Sequence, residues 1–257
     1  IVLNDKEIDI RPTGENIGRV VVENNGREDY INYLISMVDL DLAGVKIAMD
    51  CGHGALYKIG PEVIRRLGGS LVVINTEPNG MNINDNCGST NPKMIQDLVI
   101  KEKADVGLSF DGDGDRLIAV DEMGNIVDGD HILAICGTYL KEKGKLKNNT
   151  VVGTIMTNMG LDLYLKEKDI SIVKTKVGDR YIIEEMLKNG YVLGGEQSGH
   201  IIFLDYNTTG DGLATALHLL EVMRHTGKSM SELNKLMTSF PQVLVNARVK
   251  NEMKNKY

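Results

Sequence analysis

The chain contains 257 residues, of which 42% are hydrophobic and 25% charged, and it carries a formal net charge of −7. This length and composition predict one or two ordered domains, and the negative charge without a basic cluster argues against nucleic acid as a partner. No apolar run is long enough to span a membrane and the three cysteines are widely spaced, so we expect a cytoplasmic protein without a membrane partner.

Apolar runs rich in β-branched residues alternate with helical patterns in the first half of the chain. The predicted elements are a helix near 29–38, a strand at 45–49, a helix around 63–67, a strand at 71–74, a helix after Pro92, and strands at 106–110 and 117–121. The last strand follows a tight polar loop, which predicts that it runs antiparallel in an otherwise parallel sheet.

The same order of elements returns in the second half. Its predicted elements are a helix near 132–140, a strand at 150–155, a helix near 161–165, a strand at 170–175, a helix near 182–187, and strands at 191–195 and 201–204. The sequence therefore predicts an α/β fold of two similar domains, each with a mixed, mainly parallel sheet and flanking helices.

The segment DGDGDR, residues 111–116, follows the third strand of the first domain, where open α/β sheets bind ligands. Its carboxylates Asp111, Asp113 and Asp115 repel one another unless a cation neutralises them. In an extended loop their alternate spacing turns all three to one side. Ligands that are all oxygen favour Mg²⁺, and Arg116 is suited to hold a phosphate beside the ion.

Three other interpretations of this loop remain open from the residues alone. The first is a polar turn between two strands. The second is a calcium loop with acids at positions one, three and five and Glu122 at position twelve, although Arg116 stands where such a loop needs glycine. The third is a haloacid-dehalogenase-like phosphatase, whose Asp-x-Asp pair also follows an apolar strand and in which Asp111 would be the nucleophile.

A second polar loop, GGEQSGH at residues 194–200, follows the third strand of the second domain. Glu196, Ser198 and His200 are spaced two residues apart, so an extended loop would present all three on one side. A carboxylate, a hydroxyl and an imidazole together suit sugar hydroxyls. Without such a ligand, Ser198 and His200 are ordinary turn and strand residues.

The junction TKVGDRYI, residues 175–182, leads from a predicted strand into a helix. Asp179 is suited to cap that helix. Lys176 and Arg180 beside a helix N-terminus are suited to an anionic ligand group.

Five motifs resemble those of the α-D-phosphohexomutase superfamily and follow the same order along the chain: NGMNINDNCGSTNP, DGDGDR, TNMGL, KVGDRYI and GGEQSGH. The resemblance covers nearly the whole chain and implies the fold of that superfamily. The site residues that it implies are Asp111, Asp113 and Asp115 as ligands of Mg²⁺, Arg116 and His200 as assisting catalytic residues, and Glu196, Ser198, Asp179 and Arg180 as substrate-binding residues.

The NINDNCGST stretch resembles the branch of the superfamily that acts on glucosamine phosphates. The implied reaction interconverts glucosamine 6-phosphate and glucosamine 1-phosphate through a phosphoserine and a 1,6-bisphosphate, in the amino-sugar metabolism that supplies cell-wall precursors. Mannose and glucose phosphates stay open as substrates, as does a non-catalytic module that binds metal and sugar. The sequence does not predict an oligomeric state.

Members of the superfamily have four domains, and the motifs found here belong to the second and third. We expect a remnant of the first domain at 1–26, the metal-loop domain at 27–127, the sugar-recognition domain at 128–245, and a hinge at 246–257. The sequence lacks the family's phosphoserine loop and its final phosphate-binding loop, and Ser89 belongs to the second domain, so it is not the expected nucleophile. The chain alone is therefore expected to bind Mg²⁺ and sugar phosphate weakly and to be inactive.

Overall fold

The computed structural model describes residues 13–243 and residue 245. Within them the chain forms two sheets with helices packed against them. Residues 1–12 of the predicted remnant at 1–26, and the whole predicted hinge at 246–257, lie outside the described residues.

The first sheet has five strands in the order β2-β1-β3-β4-β5. Strand β1 is parallel to β2 and β3, whereas β4 is antiparallel to β3, as predicted. The elements of this domain are α1 (Gly26–Ser36), β1 (Lys46–Asp50), α2 (Ile59–Arg66), β2 (Ser70–Ile74), α3 (Lys93–Glu102), β3 (Val106–Phe110), β4 (Leu117–Asp121) and β5 (Ile126–Val127).

The second sheet has four strands in the order β7-β6-β8-β9, with β6 parallel to β7 and β8, and with β9 antiparallel to β8. Its domain repeats the plan of the first, which confirms the predicted fold class. The elements are α4 (Gly129–Glu142), β6 (Thr150–Thr154), α5 (Met159–Glu167), β7 (Ser171–Thr175), α6 (Asp179–Asn189), β8 (Leu193–Gly195), β9 (Ile201–Phe203), α7 (Gly212–Thr226) and α8 (Met230–Asn234).

Helix α7 is the largest element that the sequence patterns did not predict. It begins at the N-cap Asp211, whose side chain accepts a hydrogen bond from the backbone of Ala214. Eleven of its fifteen residues are buried, because it lies between α4 and α1 and over β3 and β4. A helix that is buried on nearly all sides has no amphipathic period to detect.

The two domains share one hydrophobic core and are joined by backbone hydrogen bonds at the loops that follow their central strands. The N–H of Leu117 donates to the carbonyl of Gly199 at 3.0 Å, and the N–H of Gly212 donates to the carbonyl of Gly114 at 2.9 Å. The seam therefore runs directly through the two loops that the sequence marks as candidate sites.

None of the helices in the described part of the chain has the length and apolar character that crossing a bilayer requires.

Candidate functional site

The DGDGDR loop brings its three carboxylates together through a turn rather than through an extended segment. The N–H of Gly114 donates to the carbonyl of Asp111 at 3.2 Å, which closes the turn directly after β3. One oxygen from each of Asp111, Asp113 and Asp115 lies within 4.8 Å of the others. The clustering was predicted correctly, but the expected extended conformation was wrong, because the backbone of the loop folds on itself between two hydrogen-bonded strands.

Burial of the first carboxylate sets the electrostatics of this loop. Asp111 is buried, Asp115 is half-buried and Asp113 is exposed. Burial, followed by the proximity of Asp115, raises the pKa of Asp111 to about 6. The Nε of Arg116 lies 3.8 Å from both Asp111 and Asp115 and has no hydrogen-bond partner among the described residues.

These donors fit a divalent cation that prefers oxygen ligands. All three side chains are carboxylates, and a buried oxygen of Asp115, Oδ1, has no hydrogen-bond partner within residues 13–243. A cation among the three would favour the charged form of Asp111, against the burial and the neighbouring Asp115 that raise its pKa. The flanks of the loop are the strands β3 and β4, not the helices that a calcium-binding EF-hand requires.

Asp50, at the end of β1, is a supporting residue that the sequence patterns did not single out. Its carboxylate is fully buried and accepts hydrogen bonds at 2.9 Å from the backbone of Gly52, the backbone of Gly88 and the side chain of Asn75. The loop held in this way also bonds to the end of β3, where the N–H of Ser89 donates to the carbonyl of Phe110. An acid directly after an apolar strand, at the same sheet edge as Asp111, was the available signal.

The GGEQSGH loop is also a turn, closed by the N–H of Gly199 donating to the carbonyl of Glu196. The turn leaves Ser198 exposed and buries His200, so the expectation that Glu196, Ser198 and His200 share one side of an extended loop was wrong. An oxygen of Glu196 accepts a hydrogen bond from the backbone of Gly178 at 3.1 Å, which ties this loop to the start of α6.

His200 connects the two loops across the domain seam. Its Nε2 accepts from the backbone N–H of Gly210 at 3.2 Å, so the ring proton of a neutral imidazole lies on Nδ1 and is donated to Asp115 at 3.0 Å. The side chain is 1% exposed. A Cβ on Gly210 would lie 2.4 Å from the ring, so only glycine permits this approach. The imidazole thus orients one carboxylate of the cluster, as partners of metal ligands commonly do.

The start of α6 contributes one residue to this group and leaves another outside it. Asp179 is the first residue of the helix and makes no capping bond, so its suggested capping role was wrong. Its Oδ1 instead lies 3.6 Å from His200 Nε2. Arg180 is 82% exposed and pairs with Glu184 on its own helix, so it is not in contact with the other candidate residues.

Family models match both domains of the chain. The description of the first is phosphoglucomutase/phosphomannomutase, alpha/beta/alpha domain II, over residues 28–124, and that of the second is domain III of the same family, over residues 128–240. The chain belongs to the phosphoglucomutase/phosphomannomutase family. This confirms the superfamily that the sequence motifs suggested, and it is not the haloacid-dehalogenase alternative.

Curated relatives match the whole chain at high identity. A protein named phosphoglucosamine mutase from Alkaliphilus oremlandii is 57% identical over 256 residues, which is 100% of this chain and 57% of the relative. A protein of the same name from Clostridium novyi is 56% identical over 255 residues, which is 99% of this chain and 57% of the relative. The chain therefore spans a little more than half the length of these relatives.

Solved structures of the family share the fold. A phosphoglucomutase/phosphomannomutase family protein from Burkholderia thailandensis is 27% identical with a TM-score of 0.71, over 85% of this chain and 47% of that one. N-acetylphosphoglucosamine mutase from Aspergillus fumigatus, solved with GlcNAc-6P and magnesium, is 18% identical with a TM-score of 0.67, over 84% of this chain and 50% of that one. The similarity to the Aspergillus fumigatus protein supports a shared fold and nothing more.

Metal binding at the DGDGDR loop should depend on pH. Because the pKa of Asp111 is raised to about 6, the stability of the metal-free chain should fall as the pH rises from about 4 to about 6, where this buried carboxylate becomes charged. A divalent cation must displace the same proton. We expect the apparent Mg²⁺ affinity to fall about tenfold per pH unit below about pH 6. Calorimetric titration at about pH 5, 6 and 7.5 tests this, and an affinity that stays constant would contradict it.

Proposed function

We propose that this chain is the metal-binding and sugar-binding part of a phosphoglucosamine mutase, which interconverts glucosamine 6-phosphate and glucosamine 1-phosphate. The observation that carries the proposal is the identity of 57% to a relative of that name over the whole chain, together with the clustered carboxylates of Asp111, Asp113 and Asp115. The reaction would proceed through a 1,6-bisphosphate and a phosphoserine, and the phosphoserine would belong to a part that these motifs do not include. The chain alone is then inactive, and the whole protein acts in the cytoplasm.

In this proposal the three aspartates hold Mg²⁺, which supplies positive charge against a phosphoryl group in transfer. The structure of N-acetylphosphoglucosamine mutase from Aspergillus fumigatus, which shares the fold, was solved with magnesium and supports this choice of ion. Arg116 has an Nε free of hydrogen bonds among the described residues, so it is available for a phosphate oxygen. His200 keeps Asp115 in its rotamer and holds a proton on Nδ1.

The sugar would be held beside this loop by the second domain. Glu196 would accept hydrogen bonds from sugar hydroxyls with the carboxylate oxygen that is not bonded to Gly178. Ser198 is exposed, so its hydroxyl is free to reach a sugar. Asp179 lies next to His200 and orients the substrate, while Arg180 would have to leave Glu184 before it could contribute. Mannose and glucose phosphates are the alternative substrates, because the family description includes mutases for both sugars.

Binding of sugar phosphates to the isolated chain tests this function. With Mg²⁺ present, glucosamine 1-phosphate should bind weakly, more tightly than mannose 1-phosphate, and should not be converted. Glu196→Gln should weaken sugar binding by about tenfold, since it replaces an ionised acceptor, and should leave Mg²⁺ affinity unchanged. Glu185→Gln, in the middle of α6, is the matched control, because Glu185 is also half-buried and accepts a hydrogen bond, from Asn189, that glutamine can keep.

Calorimetry and phosphorus NMR give these results directly. Preference for mannose 1-phosphate would favour the alternative substrate. Turnover by this chain alone would overturn the claim that the phosphoryl donor lies elsewhere, and an unchanged affinity in Glu196→Gln would remove that residue from the sugar site.

A further inference from the structure

The segment after α8 is bonded to the loop between β6 and α5 mainly by one side chain of that loop, Asn158. The Nδ2 of Asn158 donates to the carbonyl of Phe240 at 2.9 Å, and its Oδ1 accepts from the N–H of Phe240 at 3.0 Å. A single amide therefore pairs with both backbone groups of one residue, as a neighbouring strand would. Gln242 adds a bond to the carbonyl of Met156 at 3.0 Å.

The same side chain caps α5, but capping does not account for the choice of asparagine. Oδ1 of Asn158 also accepts from the N–H of Gly160 at 2.9 Å, a role that serine or threonine can fill. Gly160 has a second requirement, because a Cβ there would lie 2.0 Å from the carbonyl oxygen of Thr238. Two residues of the TNMGL motif, Asn158 and Gly160, thus contact the segment at 238–242 in ways that the helix itself does not require.

A buried carboxylate holds this loop from behind. Asp130 is fully buried, and its Oδ2 accepts from the backbone N–H of Asn158 at 2.7 Å, while its Oδ1 has no partner among the described residues. Burial raises the pKa of Asp130 to about 7. Burying an acid here costs free energy, which the hydrogen bond to the backbone of Asn158 offsets only in part.

This connection lies at the edge of the sheet that carries the candidate site. Strands β7, β6 and β8 are parallel, so the loops after all three leave from one edge. Asn158 is in the loop after β6, Asp179 follows β7, and Glu196 follows β8. The chain therefore leaves the second domain at the same edge of the sheet as the loops proposed to hold the sugar.

We propose that Asn158 is a positioning residue that fixes the exit of the chain at Phe240, so that the polypeptide C-terminal to residue 242 starts from the edge of the sheet that carries the site. The claim that Asn158 holds Phe240 in place concerns this chain alone. The claim that this placement serves catalysis rests on the proposed function. A role for Asn158 as a helix cap only would leave Phe240 unaffected by any substitution that preserves the cap.

Amide hydrogen exchange of Phe240, followed by NMR, separates these two roles. Asn158→Ser keeps a good cap but cannot reach Phe240, so the exchange of the Phe240 amide should accelerate by about tenfold or more while the denaturant midpoint changes little. Asn158→Asp keeps both acceptor bonds but turns a carboxylate oxygen toward the carbonyl of Phe240, so it should restore the protection only in part. Equal protection of Phe240 in the wild type and Asn158→Ser would overturn the proposal.

Gly160→Ala gives a second, independent test. Alanine raises the helix propensity of α5, yet its Cβ would displace Thr238, so α5 should be retained while Phe240 loses protection. Protection that survives this change would contradict the proposal. Mg²⁺ affinity should be the same in the wild type and in all these variants. If the wild type itself did not bind Mg²⁺, that result would count against the proposed function and not against this inference.

Discussion

Replacing Asp111 with asparagine should strongly weaken divalent-metal binding and leave the fold at least as stable as before. The two effects have opposite signs because the same carboxylate that would ligate the cation is penalised by burial when no cation is bound. Its pKa is raised to about 6 from 3.8. A shift of about two units corresponds to at most about 3 kcal/mol near neutral pH, and the partial exposure of the loop reduces the expected gain to about 1–2 kcal/mol.

The metal side of this prediction is the larger effect. Loss of one of three anionic ligands should weaken Mg²⁺ by about 100-fold or more. Asparagine can still accept the backbone hydrogen bond that Arg116 donates to Asp111 at 3.2 Å, so the turn itself should persist. Calorimetry with Mg²⁺ and urea denaturation at about pH 7.5 measure the two effects separately.

Asp169→Asn is a matched control, since that side chain is 96% exposed and far from the loop in the chain. It should change neither quantity. If Asp111→Asn bound Mg²⁺ as tightly as the wild type, the carboxylate cluster would not be the metal site. A variant that loses both metal binding and several kcal/mol of stability would instead show that Asp111 is needed for the turn.

The sequence predicted most of the strands because parallel strands buried on both faces are continuous apolar runs, as at 106–110 and 150–154. It predicted the positions of the two polar loops for the same reason, since each loop interrupts such a run. Helix α7 was missed because burial on nearly all sides removes the 3.6-residue period on which helix prediction depends.

Loop conformation was the weaker part of the prediction. Residue spacing alone suggested extended loops, in which Glu196, Ser198 and His200 would point together. Backbone hydrogen bonds across the domain seam instead force turns, so His200 is buried against Asp115 and Ser198 is exposed. Such bonds join residues about 80 positions apart, and a pattern read in a local window contains no information about them.

Asp50 was also missed because two of its hydrogen-bond partners are distant in sequence. Its substitution should destabilise the chain more than that of Asp111 or Asn158. In Asp50→Asn the side chain can keep one oxygen for Gly52 and Asn75, but its new amide would face the N–H of Gly88, so two donors would oppose each other in a fully buried site. We expect a loss of about 3 kcal/mol, because charge-assisted bonds are lost and a buried donor is left without a partner.

The loss should also reach the metal loop, although Asp50 does not contact the cluster. Asp50 holds the loop that contains Gly88 and Ser89, and Ser89 in turn bonds to the carbonyl of Phe110, the residue before Asp111. Mg²⁺ affinity should therefore fall by about tenfold at temperatures where the variant is still folded. Asp97→Asn, on the exposed face of α3, should cost less than about 0.5 kcal/mol and leave Mg²⁺ affinity unchanged. If Asp50→Asn unfolds at the same urea midpoint as Asp97→Asn, then buried hydrogen bonds at the end of β1 do not support the site.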